Sequence, residues 1–347
     1  MTEKLTKDEI NLYDRQIRLW GFEGQARLRE AKVAVLNLSG AGVEIVKNLA
    51  LGGIGHISII DSNELLEQDL NVNFFVDASQ IGQNKGAATR GRIAELNPRT
   101  EVIVYEESWQ EWESNEWSKF DVVIGCSLSG EDIKIVNSRC RAAKVRFIAC
   151  GVHGLYGYIF NDLIETENWI NVEKSGRRAV GDSINAVSKI VGIEDVKDKE
   201  SLQEKIRIRT LYKPWEEINF EIVDKMYPTV KKKGKKVSRK LFWMIGLLGM
   251  KSEYGVLIDE VDIDIEELTN KVNEVSERFG VSECFKFEKT ELEVLKRHAF
   301  CEFAPTNAII GGVVSQDIVN CIVEQELCVT NFAVLDGESI EMPVYIL

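Results

Sequence analysis

The chain has 347 residues, long enough for one large domain with insertions or for two domains. Its 44% hydrophobic and 29% charged residues describe an ordinary globular protein, and a net charge of −13 argues against nucleic acid as the main partner, because phosphate binding needs a basic surface. The N-terminal MTEKLTKDEI lacks the apolar core of a signal peptide and the longest apolar run, residues 241–250, is too short for a bilayer, so an intracellular chain with no membrane partner is expected. Seven cysteines, scattered and never spaced C-x-x-C, read as reduced thiols rather than a disulfide framework or a zinc site.

Thr6 and Glu9 fit a capping box, and Ile10, Tyr13, Ile17 and Trp20 then recur at helical spacing. The pattern predicts a helix that Gly21 ends, with Asp14, Arg15 and Arg18 off its apolar stripe. A second short helix is expected over 22–30. A buried strand at 32–38, a helix at 43–50 and a strand at 56–61 make a βαβ unit closed by the acid Asp61. A helix at 86–96 stops before Asn97-Pro98; strands follow at 101–105 and 120–125, a helix at 133–143, and strands at 146–150 and 157–163. This alternation predicts an α/β fold with a doubly wound sheet. Residues 165 to about 225 are charged and poor in helical period, which points to a small β-rich part. Helices are expected at 237–250, 265–279 and 289–300. Residues 308–323 read as an apolar helix that Gly311 and Gly312 let pack closely on a sheet, and strands at 331–335 and 342–347 join through Asp336-Gly337. The implied organisation is a first domain part at 1–164, an insertion at 165–299 that is β-rich and then helical, and a return to the first domain at 300–347.

The segment Asn37-Leu38-Ser39-Gly40-Ala41-Gly42 stands where a Rossmann-type βαβ unit keeps G-x-G-x-x-G. Counting back from Gly42 as the third glycine, the first two fall on Asn37 and Ser39. Side chains there oppose the tight turn and the close approach to a pyrophosphate that the glycines serve.

YDRQIRLWG at 13–21, the βαβ unit ending in IID, IGQNK at 81–85, LNP at 96–98, and EFAP followed by AIIGGVVSQDIVN at 302–320 together resemble the adenylation fold of ubiquitin-like-modifier activating enzymes, the ThiF/MoeB type. The resemblance covers about 8–163 and 300–347, and length and ending are most similar to the smaller, non-catalytic subunits of heterodimeric SUMO-activating enzymes. It implies a Rossmann-like pseudo-adenylation domain that binds no cofactor or metal of its own. The chain would pair with a catalytic subunit that holds ATP and Mg²⁺ and adenylates the C-terminus of SUMO. Activity is then expected only in the complex, and the family's role implies the nucleus. The matching segment 68–74 puts Val72 where active members carry a phosphate-binding arginine, and Leu128 falls where they carry the aspartate that holds magnesium. A valine cannot hold phosphate charge, and leucine has no oxygen for a hard cation. Lys85 matches an ATP-binding lysine but is left isolated, and no cysteine has the proline–threonine context of the thioester nucleophile. What the resemblance retains is Arg15, which in this family reaches across the dimer to the ATP of the catalytic subunit. A guanidinium, always charged and able to bind two oxygens, suits the charge that builds on departing pyrophosphate.

Other readings stay open at this level. The modifier could be another ubiquitin-like protein, or the chain could be a self-sufficient adenylyltransferase or dinucleotide-binding enzyme, with Asp61 as a ribose ligand or merely a solvent-exposed or hydrogen-bonded strand end. The basic stretch at 231–240 (KKKGKKVSRK) reads either as a nuclear-import signal or as a solvated run. Trp109, Trp112 and Trp117 are expected to pack a loop edge onto the domain, His153 to serve packing or a hydrogen bond, and Cys284 and Cys301 to be structural thiols.

Overall fold

The computed structural model describes residues 5–195, 203–229, 232, 236–250, 263–282 and 287–347. Helix α1 (Lys7–Leu12) opens on the expected box: Thr6 Oγ1 accepts the Glu9 N–H at 3.3 Å, and Glu9 Oε2 accepts the Thr6 N–H at 2.7 Å. The expected single helix breaks at Tyr13, whose ring turns into the core, and α2 (Asp14–Glu30) follows. Gly21, at φ 79°, bends α2 where the sequence places a stop; the chain leaves helical geometry for one residue and resumes it.

Strand β1 (Lys32–Leu36), α3 (Gly40–Gly52) and β2 (His56–Ile60) form the βαβ unit. Helix α4 (Lys85–Leu96), β3 (Glu101–Tyr105), the single turn α5 (Ser114–Trp117), β4 (Val122–Cys126) and α6 (Gly130–Ala143) continue the alternation. Strands β5 (Arg146–His153) and β6 (Tyr156–Asp162) form a hairpin longer than the apolar runs imply. Residues 165–211 are β-rich, as expected: β7 (Glu165–Glu173), β8 (Ser188–Asp195) and β9 (Gln203–Leu211) make a separate antiparallel sheet in the order β7-β9-β8. The short helix α7 (Glu221–Met226) went unread in that stretch; α8 (Arg239–Leu248), α9 (Ile265–Arg278), α10 (Lys289–Lys296) and α11 (Ala304–Val323) follow, then β10 (Phe332–Asp336) and β11 (Val344–Tyr345).

The main sheet runs β11-β10-β6-β5-β4-β1-β2-β3. From β5 to β3 every pairing is parallel, and β6, β10 and β11 add antiparallel strands at the other side. The doubly wound expectation holds. One face packs Val35, Ile57, Ile124 and Ile148 against Val46 of α3, Ile93 of α4 and Ile310, Val314 and Ile318 of α11. The other packs Leu36, Val123, Phe147 and Phe332 against Val136 of α6, Trp243 of α8, Val272 of α9 and Leu292 of α10. Burial on both faces is why β1 and β4 read as unbroken apolar runs.

By length and composition α11 could cross a membrane, yet 72% of its most apolar stretch is buried against α2, α3, β5 and β6, as befits a core helix. Of its two glycines only Gly311 makes the close approach, and it does so against α3: a Cβ there would lie 2.5 Å from Glu44 Cβ and 3.2 Å from the Ala41 carbonyl. Gly312 meets nothing within 4 Å.

Candidate functional site

The loop after β1 keeps the geometry of a phosphate-binding turn while its residues fill it. Asn37 adopts φ 61°, the left-handed region that glycine favours and that asparagine tolerates best among the other residues. Ser39 caps α3, its Oγ accepting the Gly42 N–H at 3.4 Å. The exposed N–H groups and dipole of such a helix end attract anions. Here the anion is internal: Gly40 N–H donates to both carboxylate oxygens of Glu302, each at 3.0 Å. Burial pushes the Glu302 carboxyl up to about 7, against the Gly40 N–H and Lys85, which pull it down.

The surrounding residues complete the closure. A Cβ on Gly40 would lie 2.1 Å from Asn307 Nδ2 and 2.9 Å from Val72 Cβ, so both side chains press on the helix end. Leu128, 2% exposed, belongs to the apolar core and its Cδ1 sits against Gly125. Lys85 pairs with Asp69 at 2.8 Å, and Asp69 Oδ2 accepts the Leu66 N–H at 2.7 Å. Asp61 is buried and used up locally, accepting from Leu38 N–H at 2.7 Å and from Asn63 N–H and Nδ2 at 2.9 and 2.7 Å. That is the hydrogen-bonded strand end rather than a ribose ligand. A magnesium nucleotide does not fit this donor set: position 72 offers no cation, position 128 no oxygen, and the helix end already holds a carboxylate. Among the described residues no group of three His, Cys, Asp or Glu side chains could hold a metal.

Arg15 stands apart from this cluster. It is exposed on the first turn of α2 between the buried Tyr13 and Ile17. Asp14 is taken by Arg18 at 2.7 Å, which leaves Arg15 without an ion pair among the described residues. Its base is well anchored: Asn97 Nδ2 donates to the Tyr13 hydroxyl, Trp20 Nε1 donates to Gln25 Oε1 at 3.0 Å, and Gln25 Nε2 donates to the Gly52 carbonyl at 3.2 Å. The exposed Leu12, Leu19 and Phe22 lie on the same segment, and the exposed Leu51, Phe74 and Leu96 line a groove beside α3 and α4.

The remaining candidates are structural. His153 is fully buried and held neutral, its pKa lowered to about 3 by burial, and its Nδ1 accepts the Phe300 N–H at 2.9 Å. Trp109 and Trp112 each pack edge to face on Trp117, and Trp112 stacks on Phe120. Six cysteines are buried free thiols; Cys301 is pushed up to about 11 by burial. Cys284 and part of the basic stretch, Lys231, Lys233, Gly234 and Lys235, lie outside the described residues. Sequence reasoning missed Glu302 and Asn307 as partners of the loop. Both lie in the stretch bearing the EFAP motif, but nothing in local spacing tells that residue 302 meets residue 40.

A model of the ThiF family matches residues 13–344. The chain belongs to the ThiF family. As a ThiF-family protein it is 33% identical over 348 residues to the DNA damage tolerance protein RHC31 of Saccharomyces cerevisiae, covering 99% of this chain and 98% of that one. It is 30% identical to the DNA damage tolerance protein rad31 of Schizosaccharomyces pombe, with 98% of each covered. To the human protein named SUMO-activating enzyme subunit 1 it is 29% identical, over 96% of this chain and 93% of the relative. A solved structure titled as Escherichia coli MccB with MccA-N7isoASN superposes with a TM-score of 0.52 at 15% identity, covering 97% of this chain and 71% of that one, a likeness of fold. The ThiF-type adenylation fold expected from the motifs is therefore present, and the chain is homologous along nearly its whole length to proteins named SUMO-activating enzyme subunit 1.

Proposed function

We propose that this chain is the non-catalytic, regulatory subunit of a heterodimeric SUMO-activating enzyme. The observation that carries the reading is the contrast between its two arginine- and phosphate-related features. The chain's own phosphate seat is filled by Glu302 and flanked by Val72 and Leu128, while Arg15 projects from an anchored helix with no partner of its own. In this reading the chain binds no nucleotide or metal. A catalytic partner holds ATP and Mg²⁺ and adenylates the SUMO C-terminus, and Arg15 acts in trans on the ATP phosphates. The exposed apolar residues Leu12, Leu19, Phe22, Leu51 and Phe74 supply the partner face. Full-length similarity to relatives named SUMO-activating enzyme subunit 1 supports the choice of modifier. A nuclear location is part of the proposal, with the basic 231–240 stretch as its import signal. The engagement of Asp61 by the 37–39 loop gives a dinucleotide-binding alternative no support.

Purification of the chain from cells with identification of its partner tests the reading. Recovery of a second, ATP-binding ThiF-type chain together with SUMO-dependent ATP–pyrophosphate exchange is expected. A homodimer, or micromolar ATP binding by the chain alone, overturns it.

A further inference from the structure

We propose that the Glu302 carboxyl group occupies the phosphate seat at the head of α3 and shuts it against external phosphate. Helix α3 has 13 residues, long enough for a developed dipole, and with the Gly42 N–H taken by the Ser39 cap its leading Gly40 N–H is the one turned to an acceptor from elsewhere in the chain. Glu302 takes the leading N–H with both oxygens, as two oxygens of a phosphate would. It arrives from the far end of the sequence, just before α11, and it stays there although burial disfavours its charge.

A second observation points to the same space. Asn307 is 1% exposed, its amide presses on Gly40, and neither Nδ2 nor Oδ1 has a hydrogen-bond partner. Buried amides are nearly always satisfied, so an orphaned pair beside a helix end marks a place built to receive a polar group. Lys85, held by Asp69, lies close enough to Glu302 to lower its pKa, and stands ready as a third, cationic contact. Take the carboxylate away and the helix end, the Asn307 amide and Lys85 form a seat for a phosphate oxyanion. The closure is thus maintained by one residue, while Val72 and Leu128 deny the rest of a nucleotide its contacts.

The test is calorimetric titration of the full chain with inorganic pyrophosphate at fixed salt. Glu302→Ala is expected to bind it at least about tenfold more tightly than the wild type, the scale of a charge at a partly buried helix terminus. The double variant Glu302→Ala/Asn307→Leu is expected to lose that gain. Glu302→Gln is isosteric and keeps an acceptor for the Gly40 N–H, so it preserves packing if the alanine variant does not fold; it is expected to show the gain in smaller measure. A folded Glu302→Ala or Glu302→Gln protein with wild-type affinity overturns the proposal, as does a gain that survives loss of Asn307. These outcomes are separable from the proposed function, which fails instead if the wild-type chain binds ATP or forms no complex with a catalytic partner.

Discussion

The Tyr13 hydroxyl accepts a hydrogen bond from Asn97 Nδ2 at 2.7 Å, and the same amide donates to the Ala50 carbonyl at 2.8 Å. One buried side chain therefore ties the start of α2 to the end of α3 and to the loop after α4. Two motifs 84 residues apart in the chain, Tyr13-Asp14-Arg15 and Leu96-Asn97-Pro98, meet at this point. Replacing Asn97 with alanine leaves a buried hydroxyl and a carbonyl without their donor. A loss of about 1–3 kcal/mol is expected, the usual penalty for an unsatisfied buried polar group, and is read from urea unfolding. Because Arg15 follows Tyr13 by two residues, the same variant should lower exchange activity of the complex more than its loss of stability explains.

Arg15→Ala should leave assembly with the catalytic subunit intact, since the residue is exposed and its helix is held by Tyr13, Ile17 and Trp20. Adenylation measured by ATP–pyrophosphate exchange should fall by about 10³, the lower end of what an arginine delivered in trans contributes to phosphoryl transfer. Arg15→Lys should restore only part of the rate, because an ammonium keeps the charge but loses the bidentate fork. Unchanged exchange in Arg15→Ala would sink the role in trans.

Leu128 is a core residue packed against Gly125. Leu128→Ala should destabilise the chain by about 2–5 kcal/mol, the cost of emptying a buried leucine site, measured by thermal and urea denaturation. Leu128→Asp should be worse, because the new carboxylate would sit in the core beside Gly125. It should not bring back magnesium-dependent nucleotide binding, since Val72 and Glu302 still stand in the way. Tight Mg·ATP binding by Leu128→Asp would contradict this account of the site.

Acid should weaken the fold partly through His153. Its pKa is lowered to about 3 from an ordinary 6.5 by burial, so below 6.5 the unfolded chain takes up a proton that the folded chain refuses. The stabilisation is complete above 6.5 and drains away as pH falls towards 3. His153→Gln, which keeps an acceptor for the Phe300 N–H, should flatten the stability curve between about pH 3 and 6.5, the window set by these two values. Glu302 works in the opposite sense. Raised from 4.5 to about 7, it favours the folded state most below 4.5 and loses that effect as pH climbs through 7, a slope that Glu302→Gln should remove.

Much of the architecture was legible because the parallel strands are buried on both faces. Runs such as Val122 to Cys126 cannot be amphipathic, and their alternation with capped helices leaves few folds to choose from. Tyr13 was read correctly as buried but not as a break, since its place in an apolar stripe is what a continuous helix would also show. Asn37 was legible as the wrong residue for a phosphate loop, but its φ of 61° was not: asparagine can keep a glycine's turn, so the loop holds that shape without the glycine. Glu302 and Asn307 were invisible as site residues for a different reason. Their meaning depends on α11 docking on α3 through Gly311, a contact between opposite ends of the chain that no local pattern encodes.

The pairing of Phe332 with Phe160 sets an order of events during synthesis. Strand β6 emerges from the ribosome early but lies between β5 and β10, and its Asn161 side chain waits for Asp317 and the Val329 carbonyl. The nascent chain must therefore carry an unfinished sheet, its edge bare and one face uncovered by α11, until nearly all of it has been made. Such long-range closure is slow and leaves apolar surface open to aggregation meanwhile.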